Sequence, residues 1–289
     1  MFTNTTQKLL NQKLICLEDI LKSDVLVYYW PISQTMKKHL KLFVENIIED
    51  KRWLDKISII LTTPWGQAEW AEDFVNILRH HYKYVDFIIP DYAMSAWTIL
   101  VMSWDEIYMD YASSLWPIDP QIQWPDWKFL PASGYLDKIN ELITKERTWT
   151  VLTVSELNII LAADIWRLKF IEQSKNLTVK LLKEWLVKYK FKDWECHEGT
   201  FHAEKKWKTV TEDEKKERAE EIAVMLWDVD LWNTHGRSIN MWTLTGPLKL
   251  KIEDIWKNPE LQTNLREYYD LMITYIWSNE MFIQTRNFI

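Results

Sequence analysis

The first half of the chain alternates short apolar runs with amphipathic segments, and few folds accommodate that order. The runs 24–29, 57–61 and 85–89 are rich in β-branched and aromatic residues, which predicts strands, and 106–109 predicts a shorter fourth strand. The segments between the runs carry apolar residues at helical spacing. Consecutive strands separated by helices pair in parallel through right-handed crossovers. The sequence therefore predicts an α/β protein with a mainly parallel sheet.

From about residue 135 the pattern becomes helical. Two capping boxes, Thr153-x-x-Glu156 and Thr211-x-x-Glu214, each precede apolar residues at helical spacing. The stretch 193–210 between them is polar and irregular, which favours a boundary nearby. We therefore predict a core domain over residues 1–190 and a helical C-terminal extension over residues 191–289.

Charge and cysteine content narrow the classes of function. The net charge of −7 argues against a nucleic-acid surface. No apolar run reaches the roughly 20 residues that span a bilayer, and the charged N-terminal segment lacks a secretory core. Two cysteines, Cys16 and Cys196, cannot build a disulfide framework. We expect a cytoplasmic protein with no nucleic-acid partner and no stable insertion in a membrane.

Glycine and tryptophan have unusual abundances, with 5 glycines and 19 tryptophans in 289 residues. Glycine normally makes up about 7% of a protein, and tryptophan is far rarer. Trp65, Trp104 and Trp124 lie in turn-like contexts that favour a small residue. Trp185 and Trp194, by contrast, have the surroundings of core residues. We hypothesise that the gene uses a code in which UGA means glycine; the alternative is a genuinely tryptophan-rich protein.

Two turns follow adjacent predicted strands, at the edge where open α/β sheets place their sites. The first is Thr63–Gly66, with the sequence TPWG, which leads into a helix and offers backbone amides to an anion. The second is Ala93–Ala96, with the sequence AMSA, which also leads into a helix. A serine at such a turn is a candidate nucleophile beside amides that stabilise an oxyanion. Each turn alone is weak evidence.

The stretch from Leu61 to Gln121 resembles the serine dehydrogenase proteinase family. That family is similar to signal peptide peptidases of the Ser-Lys type and, more distantly, to the Clp protease proteolytic subunit and the crotonases. The matching segments are Thr63–Gly66, Ala93–Thr98 and Ser113–Gln121 (SSLWPIDPQ), with further similarity around residues 181–194 and 232–237. In the family, Trp65, Trp97 and Trp116 would each be glycine. The resemblance implies a Clp/crotonase-like fold and, as in related proteins, a homo-oligomer.

The resemblance also implies a set of catalytic groups. Ser95 would be the nucleophile, and the backbone amides around Trp65 and Gly66, with Ala96 beside the serine, would form the oxyanion hole. Close approach of the backbone to a substrate carbonyl requires glycine at position 65. Genuine indoles at positions 65 and 97 would therefore leave a dead or crippled enzyme.

The general base is less clearly indicated. By spacing, Lys138 is the first candidate and Lys145 the second, and either must be desolvated in an apolar pocket to lose its proton near neutral pH. The alternative for both is a solvated helix lysine. Asp119 and His235 are possible auxiliary groups, although a turn residue and a helix cap explain them equally well.

These residues favour a serine peptidase that acts on a peptide or protein substrate. Cys196, His197 and His202 are too few and too irregularly spaced for a zinc site, so we expect no metal and no organic cofactor. Two other classes stay open. One is an inactive interaction protein that keeps the fold, and the other is a crotonase-like enzyme that binds acyl thioesters through the same pair of amides.

Overall fold

The computed structural model describes residues 2–49, 52–53, 55–63, 66, 68–94, 96–123, 129–197, 207–232, 234, 236–276 and 282–286. Its helices are Phe2–Leu21 (α1), Gln34–Glu49 (α2), Ala71–His81 (α3), Ala96–Val101 (α4), Ala132–Arg147 (α5), Val154–Leu161 (α6), Ile165–Trp185 (α7), Glu212–Trp227 (α8), Val229–Trp232 (α9), Met241–Thr245 (α10) and Pro259–Ile276 (α11). Short helical turns at Ala68–Trp70, Leu186–Lys190 and Ile255–Lys257 extend or connect them.

The strands are Asp24–Tyr29 (β1), Lys56–Leu61 (β2), Tyr84–Ile89 (β3), Tyr92–Ala93 (β4), Glu106–Met109 (β5), Ser114–Leu115 (β6), Gln121–Gln123 (β7), Phe129–Pro131 (β8), Ile239–Asn240 (β9), Glu253–Asp254 (β10) and Phe282–Gln284 (β11).

A six-stranded sheet in the order β10-β5-β3-β2-β1-β11 forms the centre of the molecule. Its strands are parallel except for β11, which pairs antiparallel with β1. In the parallel register, Ile57 lies beside Val85 and Ile59 beside Phe87. All four predicted strands are present and the α/β fold with its mainly parallel sheet is confirmed.

Helices cover both faces of this sheet. On one face, α2, α3, α4, α7 and α8 pack over Leu26, Ile59 and Phe87. On the other, α1 and α11 pack over residues such as Val27 and Ile60. Because side chains alternate between the faces of a strand, a strand covered on both sides must be apolar throughout. That is why the run 57–61 shows no polar alternation beyond Ser58.

Both predicted capping boxes are confirmed. The Thr153 hydroxyl accepts from the Glu156 amide while the Glu156 carboxylate accepts from the Thr153 amide, and α6 begins there. Thr211 and Glu214 make the same pair of bonds at the start of α8. Each box satisfies two amides that a helix start would otherwise leave unpaired.

The C-terminal region is helical for most of its length, but it also supplies strands. β10 and β11 extend the central sheet at its two edges, and β9 pairs with β6. The prediction of a helical C-terminal extension over residues 191–289 did not include these strands, which are only two or three residues long. The boundary at residue 190 stays a prediction. Among the described residues, no helix has both the length and the apolar character needed to cross a bilayer.

Candidate active site

The two turns singled out in the sequence lie side by side at the carboxyl edge of the sheet. Thr63, just after β2, forms a parallel bridge with Ala93, just after β3. The Thr63 amide donates to the Tyr92 carbonyl at 3.3 Å, and the Met94 amide donates to the Thr63 carbonyl at 3.4 Å. The main chains that enter the two turns are therefore held together by backbone hydrogen bonds.

Gly66 occupies a place with no room for a side chain. A Cβ atom built there would lie 3.0 Å from the Ile32 Cβ and 3.2 Å from both the Ile32 nitrogen and the Trp97 Nε1. Gly66 also forms a parallel bridge with Ile32. The absence of a side chain lets the loop after β2 contact the first turn of α4, which puts Gly66 close to the residues that follow Ser95.

Ser95 and Trp65 themselves lie outside the described residues. Their flanking residues are described: Ala96 is buried at the start of α4, and Trp97 donates its backbone amide to the Met94 carbonyl at 3.1 Å. Of the predicted oxyanion-hole residues, Gly66 and Ala96 are thus located at adjoining segments.

The third segment of the resemblance, residues 113–121, joins the other two through Thr98. The buried Thr98 hydroxyl lies 2.8 Å from the Trp116 carbonyl, 3.2 Å from the Ala93 carbonyl, and accepts from the Trp116 amide at 3.2 Å. β6 pairs in parallel with β4, and the Ser113 hydroxyl donates to the Ile89 carbonyl. All three segments therefore converge on one edge of the sheet.

Asp119 is fully buried and anchors the start of α5. The Ser133 hydroxyl donates to Asp119 Oδ2 at 3.3 Å, and the Ala132 amide donates to the Pro120 carbonyl at 2.9 Å. These bonds tie α5, which carries both candidate lysines, to the third segment.

The candidate lysines are solvated in this conformation. Lys138 leaves about half of its side chain exposed and contacts Glu141 at 2.8 Å. Lys145 contacts Glu141 at 2.9 Å and Glu156 at 2.8 Å. The hydrogen bonds that Lys145 donates to Glu156 and Glu141 raise its pKa, which is opposite to what a general base requires.

The auxiliary candidate His235 lies outside the described residues. Its neighbour Arg237 is exposed and donates its backbone amide to the Thr234 carbonyl at 3.1 Å. Among the described residues, no group of three or more histidine, cysteine or acidic side chains is arranged to hold a metal ion.

The sequence model of one family, described as "ClpP-like SDH-type serine proteinase", matches residues 44–223, which is more than half of the chain. The chain belongs to this family. The matched stretch includes all three segments that converge at the carboxyl edge of the sheet, so the family resemblance inferred from the sequence is confirmed.

Individual relatives match shorter stretches. Two uncharacterized proteins of Methanocaldococcus jannaschii, MJ1495 and MJ0137, are 39% identical over 77 residues and 37% identical over 70 residues. These stretches are 26% of this chain and 26% of MJ1495, and 24% of this chain and 24% of MJ0137. The chain thus aligns with only about a quarter of the length of either relative.

Two solved structures of a membrane-bound stomatin-specific protease, 1510-N, are also similar. A serine-to-alanine mutant gives a TM-score of 0.48 at 12% identity and covers 84% of both chains. A lysine-to-alanine mutant in complex with a substrate peptide gives a TM-score of 0.33 at 19% identity and covers 42% of this chain and 57% of that one.

A polar cluster at the same edge was not predicted from the sequence. The Thr62 hydroxyl lies 3.1 Å from the Tyr269 hydroxyl, and Tyr269 also hydrogen-bonds Asp91. Desolvation raises the pKa of the Asp91 carboxyl, against the opposing effect of the Tyr269 hydrogen bond. Thr62 and Asp91 follow predicted strands and could have been noticed, whereas Tyr269 lies 207 positions after Thr62, on α11.

A cleft of about 1080 Å³ lies at the opposite edge of the sheet. It is lined by the first residues of three strands (Lys56, Tyr84 and Glu106) and by residues 189–197 and parts of α8. Because the segments of the family resemblance meet at the carboxyl ends of the strands, this cleft is not the candidate active site.

Several tryptophans have surroundings that suit glycine. Trp149 follows α5 with a φ of 58°, and its side chain is 94% exposed. Its amide donates to the Glu146 carbonyl and the Thr150 amide donates to the Lys145 carbonyl, the paired bonds of a Schellman motif. Trp207 is also exposed and has a φ of 67°. Left-handed backbone of this kind normally carries glycine.

Three other tryptophans have an indole N–H group that is buried and lacks an acceptor in the described part of the chain. The Nε1 atoms of Trp53, Trp104 and Trp227 are buried and have no hydrogen-bond acceptor among the described residues. A buried donor without an acceptor costs about 1–3 kcal/mol. Trp185 and Trp194 pack in or against the main core, as their sequence context predicted, and Trp104 and Trp227 belong to the same core.

Proposed function

We propose that this protein is a serine peptidase with Ser95 as its nucleophile. The backbone bridge between Thr63 and Ala93 carries the proposal, because it fixes the loop of Gly66 against the segment that contains Ser95. Amides of residues 65 and 66 would then face a carbonyl carbon under attack by the Ser95 hydroxyl. Such preformed donors typically contribute several kcal/mol to acyl transfer.

The reaction proceeds in two steps. The Ser95 oxygen bonds to the carbonyl carbon, the hydroxyl proton passes to the base, and the negative charge collects on the carbonyl oxygen. Collapse of this intermediate breaks the peptide C–N bond, and the leaving amine takes the proton from the base. Water then attacks the acyl ester and returns the Ser95 hydroxyl.

Lys138 is the proposed general base, but its ion pair with Glu141 must break before it can accept a proton. An amine accepts a proton only when it is not already an ammonium ion, so Lys138 must leave Glu141 and lose its hydration before it can act. The ion pairs of Lys145 with Glu141 and Glu156 keep its amine protonated, so Lys145 is not proposed as a second base.

Hydrolysis of an unfolded protein substrate by the chain with glycine at positions 65 and 97 tests the proposal. Ser95→Ala and Lys138→Met should each lower kcat by at least about a hundredfold, whereas Ser174→Ala, on α7, and Lys145→Met should stay within about twofold. Full activity of Ser95→Ala would overturn the assignment of the nucleophile.

The same variants separate the rival classes. Thioester binding that survives Ser95→Ala would favour a crotonase-like enzyme. Peptide binding without cleavage by the chain with glycine at positions 65 and 97 would favour an inactive interaction protein.

We infer further that tryptophans at positions such as 65, 97 and 149 are glycines in the cell, encoded by UGA. The left-handed backbone at Trp149 and the buried indole N–H groups without acceptors support this inference. A bulky residue in left-handed backbone costs about 1–2 kcal/mol, and glycine removes that cost.

Codons and peptide masses test the decoding. We expect UGA codons at positions 65, 97 and 149, with peptides from the native protein carrying glycine there, and UGG codons at the core positions Trp185 and Trp194. Tryptophan encoded by UGG at 65, 97 and 149 would contradict it. A cytoplasmic location also stays a prediction, consistent with Cys16 and Cys196 not being joined in a disulfide.

A further inference from the structure

A lysine amine that the proposed peptidase does not use lies in the cleft of about 1080 Å³. Lys190 lines this cleft, which opens beside the first residues of β2, β3 and β5. The turns of Gly66 and Ala93 lie at the other edge of the sheet, after the last residues of β2 and β3. Any chemistry at Lys190 is therefore separate from that of Ser95 and does not depend on the peptidase.

The local backbone fixes the position of Lys190. α7 ends at Trp185, and the chain continues through Leu186–Lys190 as a π-helical turn. In this turn the Phe191 amide donates to the Leu186 carbonyl, five residues earlier, at 2.8 Å. Leu186 and Phe191 are both buried in the main core, so both ends of the turn are anchored. Turns of this kind are rare and are frequently found at functional sites.

The amine of Lys190 has a backbone partner instead of a carboxylate. Its Nζ donates to the Asp105 carbonyl at 3.1 Å. The acidic side chains around the cleft are bound by other cations at 2.7–2.9 Å, in the pairs Lys56–Asp86, Arg79–Asp105 and Lys251–Glu106. In the part of the chain that the structure describes, no carboxylate forms an ion pair with Lys190.

This environment makes the Lys190 amine easier to deprotonate. Burial lowers the pKa of Lys190 to about 8, although the charge of Glu106 opposes the shift. About a quarter of the amine is then neutral at pH 7.5, whereas a solvated lysine is about 0.1% neutral. The neutral, desolvated amine is the form of lysine that attacks carbonyl groups.

We propose that the Lys190 amine takes a small uncharged aldehyde in the cleft and holds it as a Schiff base. The amine nitrogen bonds to the carbonyl carbon, and the carbonyl oxygen leaves as water with both amine hydrogens, so no oxidant or reductant is needed. The volume of the cleft is ample for such a molecule. The lining contains eight acidic side chains against six lysines and arginines, which disfavours an anionic aldehyde.

Trapping with propanal and cyanoborohydride tests the site in the full chain, because the reductant converts an imine to a stable alkylated amine. Peptide mapping by mass spectrometry should show Lys190 alkylated at least about tenfold faster than Lys188 at pH 7.5. Lys188 is the matched control, since it is exposed in the same turn, two residues before Lys190. In the urea-unfolded chain the two rates should agree within about twofold, because both amines are then solvated.

Two further comparisons identify the amine and the charge of its ligand. Lys190→Arg keeps the positive charge and should remove the fast adduct, while circular dichroism reports the same fold. Glyoxylate, an anionic aldehyde, should give a smaller preference for Lys190 over Lys188 than propanal gives. Labelling of Lys190 by propanal that is no faster than that of Lys188, or a preference that persists in the unfolded chain, would overturn the proposal. A larger preference with glyoxylate would overturn the assignment of an uncharged ligand.

Discussion

At the scale of single residues, the backbone conformation and the space around a Cα atom indicate which side chain a position accommodates. Trp149 combines a φ of 58°, a side chain 94% exposed and the two hydrogen bonds of a helix-terminating motif. Its indole gains little from burial, while the left-handed backbone is costly for a residue with a Cβ. Gly66 gives the complementary case, because its neighbours leave no space for a Cβ.

Trp149→Gly should therefore raise the free energy of unfolding by about 1–2 kcal/mol, because glycine adopts left-handed backbone without strain. Urea denaturation of the two proteins measures the difference. Trp166→Gly is the control: Trp166 is 84% exposed but lies in the first turn of α7, so glycine there should lower stability by about 0.5–1 kcal/mol. Equal effects at both positions would contradict the account.

At the scale of elements, two polar connections hold distant segments together. The Thr98 hydroxyl joins α4 to the segment around Trp116, next to the candidate site. Arg286, just after β11, contacts Glu18 on α1 and Asp24 on β1, each at 2.8 Å. Burial raises the pKa of Glu18, and Arg286 opposes that rise.

Thr98→Val should leave the Trp116 amide without its acceptor and lower the free energy of unfolding by about 1–3 kcal/mol. Peptidase activity should fall in parallel because α4 follows Ser95. Thr98→Ser keeps the hydroxyl and should restore most of both quantities. A valine variant with unchanged stability and kcat would show that the connection does not position the site.

Arg286→Met should lower the free energy of unfolding by about 3–5 kcal/mol, since Glu18 and Asp24 would remain buried without that cation. Arg52 offers the comparison because it contacts the same Glu18 but is 36% exposed. Arg52→Met should cost no more than about 1 kcal/mol. Thermal or chemical denaturation of the two variants measures both losses of stability. Equal losses would show that the burial of Arg286 does not make its ion pairs more important than those of Arg52.

At the scale of the whole molecule, the features that could be predicted from the sequence are those that depend on residues close together in the chain. The strand 57–61, both capping boxes and the adjoining turns at Gly66 and Ala93 could all be inferred because each depends on neighbouring residues. β10 and β11 are too short to leave a pattern, and the bond between Thr62 and Tyr269 joins residues that only the fold brings together. The solvation of Lys138 likewise depends on packing around α5.

Lys190, at the end of the helical turn after α7, contacts the residue that precedes β5, and its burial predicts a pH dependence of stability. Its Nζ donates to the Asp105 carbonyl at 3.1 Å, and burial lowers its pKa to about 8. In the unfolded chain a lysine titrates near 10.4, so between about pH 8 and 10 the folded chain holds fewer protons and gains stability as pH rises. Below pH 8 the cost of burying the ammonium is present in full.

Lys190→Met should thus raise the free energy of unfolding by up to about 3 kcal/mol at pH 7, with a gain that shrinks between about pH 8 and 10. Lys188→Met is the control, because Lys188 is exposed and should change stability by less than about 0.5 kcal/mol at either pH. A pH-independent effect at position 190 would show that the residue does not titrate as inferred.

Mapping of a covalent adduct gives the most direct test of the proposed peptidase. The chain with glycine at positions 65 and 97 is treated with a serine-directed fluorophosphonate, digested and analysed by mass spectrometry. The account predicts one adduct, on Ser95, which disappears in Ser95→Ala and is strongly reduced when tryptophan occupies positions 65 and 97. An adduct on another serine, or an unlabelled Ser95 in the glycine-containing chain, would contradict it.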